Sequence, residues 1–224
     1  MKIIILHGDH IEKSYERLQR FIDVAKKRGW RIERITDNKQ NISEALVSKD
    51  LFGKKKLVII DGIKLINKKE TNWLKKNKES VDVDIVVYQK STLTKTALKI
   101  LPQPDKIEEF KLPKLIWNFL DSFFPGNAKV CLNLLHKIIE NEPLELVFFL
   151  LVKQVRDVYW AKVDSKSLPY PPWRVGKLKK QADKFDKKLL KKIINEFAEA
   201  DIKSKTSKAK LLDELDFIMA TKLE

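Results

Sequence analysis

The chain contains 224 residues, of which 43% are hydrophobic and 34% are charged. This length suits one large or two small domains with a buried core, and no apolar run approaches the roughly eighteen residues of a membrane span. Cys131 is the only cysteine, which excludes an intramolecular disulfide and, with only three histidines, disfavours a zinc site. We therefore expect a cytoplasmic protein that does not span a membrane.

The charge of the chain is strongly positive, with a formal net charge of +15. Such a charge predicts work near polyanions such as DNA. Lysines outnumber arginines by 39 to 7, which favours contact with the phosphate backbone over base recognition. The alternative is a genome-wide compositional bias, in which the lysines only solvate the surface.

The first half of the chain alternates between strand and helix patterns. The predicted strands are Lys2–Leu6, Leu57–Ile60 and Asp84–Tyr88, together with the alternating segment Trp30–Ile35 and the short segment Lys106–Phe110. Between them, helical spacing of apolar residues predicts helices at Ile11–Arg28, after Asn41 or Ser43, at Lys68–Lys78 and at Leu93–Ile100. This order predicts a parallel sheet wrapped by helices.

The pattern changes after Lys111, because no strand signal follows. The predicted helices are Pro113–Phe124, Ala128–Glu140, Leu144–Val163, Trp173–Phe185, Lys187–Lys203 and Lys208–Lys222. The third begins apolar nearly all round, which predicts that it is buried. We predict an α/β domain at residues 1–111 and an all-α domain at residues 112–224.

An apolar pair, Leu51 and Phe52, precedes the third predicted strand and lies between Asp50 and the run Gly53–Lys56. Neither helical nor strand periodicity continues across Gly53. A large apolar pair rimmed by charge is typical of an interface anchor. The alternative is that the pair folds back and covers one end of the core.

Two sequence patterns lie where enzymatic chemistry occurs in α/β folds. The segment from Gly8 to Ser14 lies where a phosphate loop would sit, but Glu12 replaces the glycine that such a loop requires before Lys13. Asp9 and Asp61 follow the first and third strands and could hold a metal ion for phosphoryl transfer, although Gly8-Asp9 and Asp61-Gly62 are also ordinary turn pairs. Cys131 lies on an apolar helical stripe and is interpreted as packed and inert.

The order of these features resembles the delta subunit of bacterial DNA polymerase III, the clamp-loader subunit that opens the sliding clamp. The resemblance covers most of the chain. In the first domain, the resemblance is carried by Ile5–Asp9 and by Leu51–Gly53 before the third strand. In the second domain, Leu151, Gln154 and Arg156 fit an L-x-x-Q-x-R-x-L pattern, with Val158 in the last place. The other matching segments of the second domain are Leu120–Asn127, Pro172–Leu178 with Gln181-Ala182 and, in part, Asp201–Lys203.

The resemblance implies an AAA+-like first domain with a degenerate phosphate loop, followed by a helical collar-like domain that joins other clamp-loader subunits. It implies that Leu51 and Phe52 bind the clamp, and that the chain has no catalytic residues, metal or cofactor of its own. The chain would be a non-catalytic accessory subunit of the polymerase holoenzyme, acting in DNA replication. The family's three-helix lid domain is missing, because Phe110–Pro113 leads directly to the collar-like helix.

The positive charge adds a weak contact with DNA, without sequence preference. The lysines expected near DNA are Lys54, Lys55, Lys56, Lys177, Lys179 and Lys180. Two other functions remain open: a free-standing basic DNA-binding protein, and a metal-dependent phosphoryl-transfer enzyme that uses Asp9 and Asp61.

Overall fold

The computed structural model describes residues 1–38, 40–48, 55–99, 101 and 103–224. The chain forms two compact units, Met1–Leu112 and Pro113–Glu224. Only Lys111, Leu112 and Pro113 lie between the last strand of the first unit and the first helix of the second.

The N-terminal unit is built on one sheet of five parallel strands. They are β1 (Lys2–Gly8), β2 (Arg31–Ile35), β3 (Lys56–Asp61), β4 (Val83–Gln89) and β5 (Lys106–Phe110). Their order across the sheet is β2-β3-β4-β1-β5. The predicted parallel sheet is confirmed, and β4 separates β1 from β3.

Alternating side chains of the central strands enter two different cores. In β3, Val58 and Ile60 face one core, whereas Leu57 and Ile59 face the other. Strands buried on both faces read as continuous aliphatic runs. This is why the central strands stand out in the sequence.

Among the residues that the structure describes, four helices and one short turn cover the sheet. The helices are α1 (Ile11–Lys27), α2 (Ile42–Val47), α3 (Lys68–Asn77) and α4 (Lys95–Leu98). Leu18 and Ile22 of α1 pack on one face of the sheet, and Leu46 of α2 and Leu74 of α3 pack on the other. The sequence did not predict the 3-10 turn Ile63–Leu65. The helix predicted at Leu93–Ile100 is shorter, and Ile100 lies outside the described residues.

The C-terminal unit is helical. Its helices are α5 (Lys114–Ser122), α6 (Ala128–Ile139), α7 (Leu144–Val163), α8 (Pro172–Ala182), α9 (Lys187–Lys205) and α10 (Leu211–Lys222). Phe123, Phe148, Phe185 and Phe197 form an aromatic chain through its core, with ring centroids 5.8–6.3 Å apart. No helix among the described residues is long and apolar enough to cross a membrane.

The last helix begins later than its predicted start at Lys208. Ser207 adopts a positive φ of 56°, and the Lys208 N–H closes the end of α9 by donating to the Lys203 carbonyl at 2.8 Å. A residue in this left-handed conformation terminates a helix. The apolar stripe of α10 therefore becomes helical only from Leu211.

Candidate functional site

The segment predicted to bind the clamp joins α2 to β3 at the amino-terminal edge of the sheet. Leu51, Phe52 and Lys54 lie outside the described residues. The structure does describe both flanks, since α2 ends at Val47, Ser48 caps it, and β3 begins at Lys56. These flanks are the two fixed points between which the segment runs.

Lys56 anchors the downstream flank to the upstream one. Its ammonium donates to the Ala45 carbonyl and the Ser48 hydroxyl, both at 2.7 Å, and to Glu33 Oε2 at 3.1 Å. The residue is only 3% exposed. Lys56 was predicted to lie near DNA. Its charge is buried and paired within the protein, which leaves it less available to a phosphate than an exposed lysine. The sequence indicates this burial only through the position of Lys56 at the start of an aliphatic strand.

Lys55 is also paired, at the surface beside Lys56. Its Nζ lies 3.2 Å from Asp82 and 3.3 Å from Asp84, and 4.8 Å from the centre of the Trp30 ring. Burial alone would lower the pKa of Lys55, but the hydrogen bonds and charges of the two aspartates outweigh it and raise the pKa. Lys55 would have to leave these carboxylates to bind a phosphate.

The connection between β1 and α1 leaves no room for a phosphate loop. Only Asp9 and His10 separate the strand from the helix. The Gly8 position, at φ +145°, requires glycine, because a Cβ there would lie 2.0 Å from the Phe110 carbonyl oxygen. The backbone amides that a phosphate would need already donate within the protein; they are those of Gly8, His10, Ile11, Lys13 and Ser14.

The His10 side chain caps the N-terminus of α1. His10 is buried and caps α1, with its Nδ1 accepting from the Lys13 N–H at 3.4 Å. In a working loop these helix N-terminal amides face the phosphate. The sequence pointed to Glu12 as the disabling residue, whereas the structure adds the short turn and the His10 cap.

We expect the isolated chain neither to bind nor to hydrolyse ATP, because the helix N-terminus is occupied by its own cap. Binding of a fluorescent ATP analogue and release of phosphate would measure this. Lys27→Ala on the same helix serves as the control for Lys13→Ala. Turnover that persists in the pure monomer and disappears only with Lys13→Ala would contradict the expectation.

Asp9 and Asp61 each have a partner within the protein. Asp61 accepts two hydrogen bonds from the Arg34 guanidinium, at 2.9 and 3.1 Å. Asp9 Oδ1 accepts from the Leu112 N–H at 2.8 Å. Across the described residues, the structure contains no group of three side chains suited to hold a metal ion. Asp9 follows β1 and Asp61 ends β3, and β4 lies between these two strands. The two carboxylates are therefore separated by roughly two strand spacings.

Positive charge in the helical unit concentrates on α8 and the first half of α9. Residues 174–192 contain nine lysines and arginines and only two aspartates. Lys179 and Lys180 are exposed, whereas Lys177 forms an ion pair with Asp121. Of the predicted lysines that the structure describes, Lys179 and Lys180 are exposed and lack the ion pairs of Lys55, Lys56 and Lys177.

The glutamines of the two collar-like motifs form one buried network. Gln154 of α7 donates to Gln181 of α8 at 2.7 Å, and Gln181 donates to the carbonyls of Leu120 and Phe123 at the end of α5. Buried amides with partners fix the relative positions of the elements that they join. These motif residues therefore fix three helices relative to one another.

Two further groups bear on the chemistry of this unit. The Cys131 thiol is buried, and burial raises its pKa despite hydrogen bonding with Ser122. This agrees with a packed, unreactive cysteine. Sequence reasoning missed Asp157, which is buried and accepts a hydrogen bond from the Tyr170 hydroxyl at 2.6 Å. This contact ties the loop before α8 to α7.

By its architecture, the chain belongs to the class of proteins in which a parallel α/β unit is followed directly by an all-helical unit. No protein-family model matches the chain, and no curated protein matches it in sequence.

Among solved structures, the chain is similar to a Bacillus subtilis DNA clamp loader delta protein, at 14% identity and a TM-score of 0.45, covering 100% of this chain and 95% of that one. It is also similar to a DNA polymerase III gamma subunit-related protein from Thermotoga maritima, at 14% identity and a TM-score of 0.35, covering 98% of this chain and 73% of that one.

Proposed function

We propose that the chain is a non-catalytic clamp-loader subunit of the delta type, which binds the sliding clamp and favours its open form during replication. One observation carries the proposal: Leu51 and Phe52 lie in a segment between α2 and β3 whose two flanks are tied together by Lys56. The motif order described above, spread over both units, supports the same function.

The anchored flanks give the Leu-Phe pair a physical advantage as a binding element. Ordering a segment on binding costs conformational entropy, and fixing its ends beforehand reduces that cost. Leu51 and Phe52 would enter an apolar pocket on the clamp, and the charged residues around them would stay solvated. Tighter binding to the open form of the ring than to the closed form would shift the clamp towards opening.

The chain would act without hydrolysing ATP. Its phosphate-loop position is closed by His10, so the energy of ATP would come from other clamp-loader subunits. The helical unit would join those subunits, and the complete assembly would operate in the cytoplasm.

The direct test is a pull-down of the full chain against the sliding clamp of the same organism. We expect a stable complex that needs neither ATP nor a metal ion. A chain that binds no clamp at any accessible concentration would overturn the proposal.

A second candidate function, a free-standing DNA-binding protein, is favoured by the concentration of lysines in residues 174–192. The two functions differ in one respect that can be measured. DNA binding that survives the loss of Leu51 and Phe52, in a chain without clamp affinity, would support the second candidate.

We expect the chain to bind random duplex DNA weakly and only at low salt, because lysine–phosphate contacts gain mostly from counterion release. Replacing Lys179 and Lys180 by glutamine should lower the salt slope by about 0.9 per lost phosphate contact. The affinity should be followed by fluorescence anisotropy from low to physiological salt.

The matched control replaces Lys129 and Lys137, which are exposed on α6, by glutamine. This control removes the same charge from another part of the unit. Affinity that is tight and independent of salt would contradict a contact with phosphates alone. A strong preference for one sequence would support the free-standing DNA-binding protein.

A further inference from the structure

The two lysines at the entry to β3 are held on opposite faces of the sheet. The Lys56 ammonium contacts the Ala45 carbonyl, on the face that α2 covers. The Lys55 ammonium lies 4.8 Å from the centre of the Trp30 ring, which packs on the face that α1 covers. Successive residues of an extended chain alternate between the faces in this way. The downstream end of the segment predicted to bind the clamp is therefore held from both sides.

The backbone of Lys55 is also bound to the sheet. The Arg31 N–H donates to the Lys55 carbonyl at 3.0 Å. This bond lies at the start of the ladder between β2 and β3, in which Arg31 is opposite Lys56. Lys55 is the first described residue after Leu51 and Phe52, so its position fixes where the segment between them and β3 must end.

Two aspartates of the next strand hold the Lys55 side chain. Its Nζ lies 3.2 Å from Asp82 Oδ1 and 3.3 Å from Asp84 Oδ1. Asp84 belongs to β4, where it is opposite Leu57 of β3, and Asp82 precedes this strand. Lys55 therefore joins the entries of two neighbouring strands. We call Trp30, Lys55, Asp82 and Asp84 the entry cluster.

The ion pairs of the entry cluster are too exposed to contribute much to the free energy of unfolding. The Asp82 side chain is 84% exposed and that of Lys55 is 29% exposed, and solvent screens such pairs. Two carboxylates and an aromatic ring nevertheless converge on one ammonium. Together they restrict a long side chain that would otherwise sample many rotamers. This restriction acts mainly on the neighbouring backbone, which is the end of the segment that carries Leu51 and Phe52.

We propose that Asp82 and Asp84 are positioning residues for clamp binding and that they act through Lys55. The inference rests on the proposed function, since it requires that the neighbouring segment binds the clamp. The two aspartates hold Lys55, and Lys55 fixes the end of the segment. The entropy cost of ordering the segment on the clamp is thereby reduced. Neither aspartate has to touch the clamp.

A direct contact of Lys55 with the clamp or with DNA predicts the opposite response. Removing the charges of Asp82 and Asp84 would then free the ammonium for a carboxylate or phosphate of the partner, and binding would stay the same or become tighter. In the positioning role, the same change loosens Lys55 and weakens clamp binding. The sign of the effect therefore distinguishes the two roles.

The test measures the affinity of the full chain for the sliding clamp of the same organism by surface plasmon resonance. Asp82→Asn with Asp84→Asn should raise the Kd about fivefold, the size expected for the loss of partly exposed ion pairs. Lys55→Met should have the same effect. Lys55→Arg keeps the positive charge and should bind nearly as the unmodified chain does.

Combining Lys55→Met with the two aspartate substitutions shows whether these residues act together. If the aspartates act only through Lys55, the combined variant binds no more weakly than Lys55→Met alone. Independent contacts with the clamp would instead multiply the losses to about twenty-fivefold. Circular dichroism and thermal unfolding establish that each variant is folded.

The control replaces Glu16 and Glu109 by glutamine. Both are in the same unit, and Glu109 forms an ion pair with Lys111 at 3.0 Å at the end of β5. The control removes the same charge and should leave clamp affinity unchanged. Hydrogen exchange of the Arg31 amide gives a measurement without the clamp. It should become faster in the aspartate variant and stay the same in the control.

The outcomes separate this inference from the proposed function. If the unmodified chain binds the clamp and the aspartate variant binds equally or more tightly, the inference is wrong and the proposed function stands. If the unmodified chain does not bind the clamp, the proposed function is wrong and the inference fails with it. Unchanged exchange of the Arg31 amide, or multiplied losses in the combined variant, would also overturn the inference.

Discussion

Replacing Leu51 and Phe52 by alanine is expected to abolish binding of the sliding clamp while the chain stays folded. Truncation of an interface anchor costs about 2 kcal/mol or more, so the Kd rises about thirtyfold for each residue and about a thousandfold if the two effects add. Surface plasmon resonance against the immobilised clamp measures the change. Thermal unfolding of the same variant measures whether the fold is intact.

The matched control for this experiment is Val47→Ala. Val47 is exposed at the end of α2, immediately upstream of the segment, and its truncation also removes apolar surface. We expect it to leave clamp affinity unchanged. Unchanged affinity in the double variant would rule out the pair as the anchor, and a large fall in melting temperature would instead support packing of the pair against the core.

Replacing Lys56 by methionine is expected to destabilise the N-terminal unit by about 3 kcal/mol. Methionine fills a similar volume but removes the ammonium that donates to the Ser48 hydroxyl and the Glu33 carboxylate. Among the described residues, the Ala45 carbonyl then keeps only its 3.2 Å hydrogen bond from the Ser48 hydroxyl. Removing one partner of a buried charged network costs about 3–5 kcal/mol, and the partial exposure of Glu33 places this site at the lower limit. A loss of this size lowers the melting temperature by roughly 10 °C or more.

The control for Lys56 is the same substitution in another strand of the sheet, Lys2→Met. Lys2 is also the first residue of its strand, but it is exposed. We expect only a small change in melting temperature there. Calorimetry of both variants and hydrogen exchange of the α2 amides measure the difference. Equal stability of the two variants would show that the buried contacts of Lys56 contribute little.

The two experiments together separate direct binding from positioning. Loss of Leu51 and Phe52 removes the groups that enter the clamp. Loss of Lys56 removes the link between Ser48 and β3, and so raises the entropy cost of ordering the segment between them. We therefore expect Lys56→Met to weaken clamp binding by less than the double alanine variant, even at temperatures where it is fully folded.

Much of the architecture can be predicted from short-range patterns of apolar residues in the sequence. Leu57–Ile60 reads as a buried strand because parallel strands covered on both faces need apolar residues at every position. The helices follow from apolar residues at helical spacing, and the end of the strand signals after Phe110 marks the passage to an all-helical unit. The sequence alone also indicates that the phosphate loop is disabled, because the segment has a single glycine and Glu12 stands before Lys13.

Only the tertiary structure decided which polar groups meet across the chain. Lys56 reads as one of a run of surface lysines, yet the packing of α2 on the sheet buries it beside Ala45, Ser48 and Glu33. Asp61 reads as a metal ligand until β2 brings Arg34 alongside it. Phe149 reads as core because its helix begins apolar nearly all round, and only the arrangement of the neighbouring helices leaves it exposed. Local patterns record which face of an element is apolar, whereas burial and pairing depend on neighbours distant in sequence.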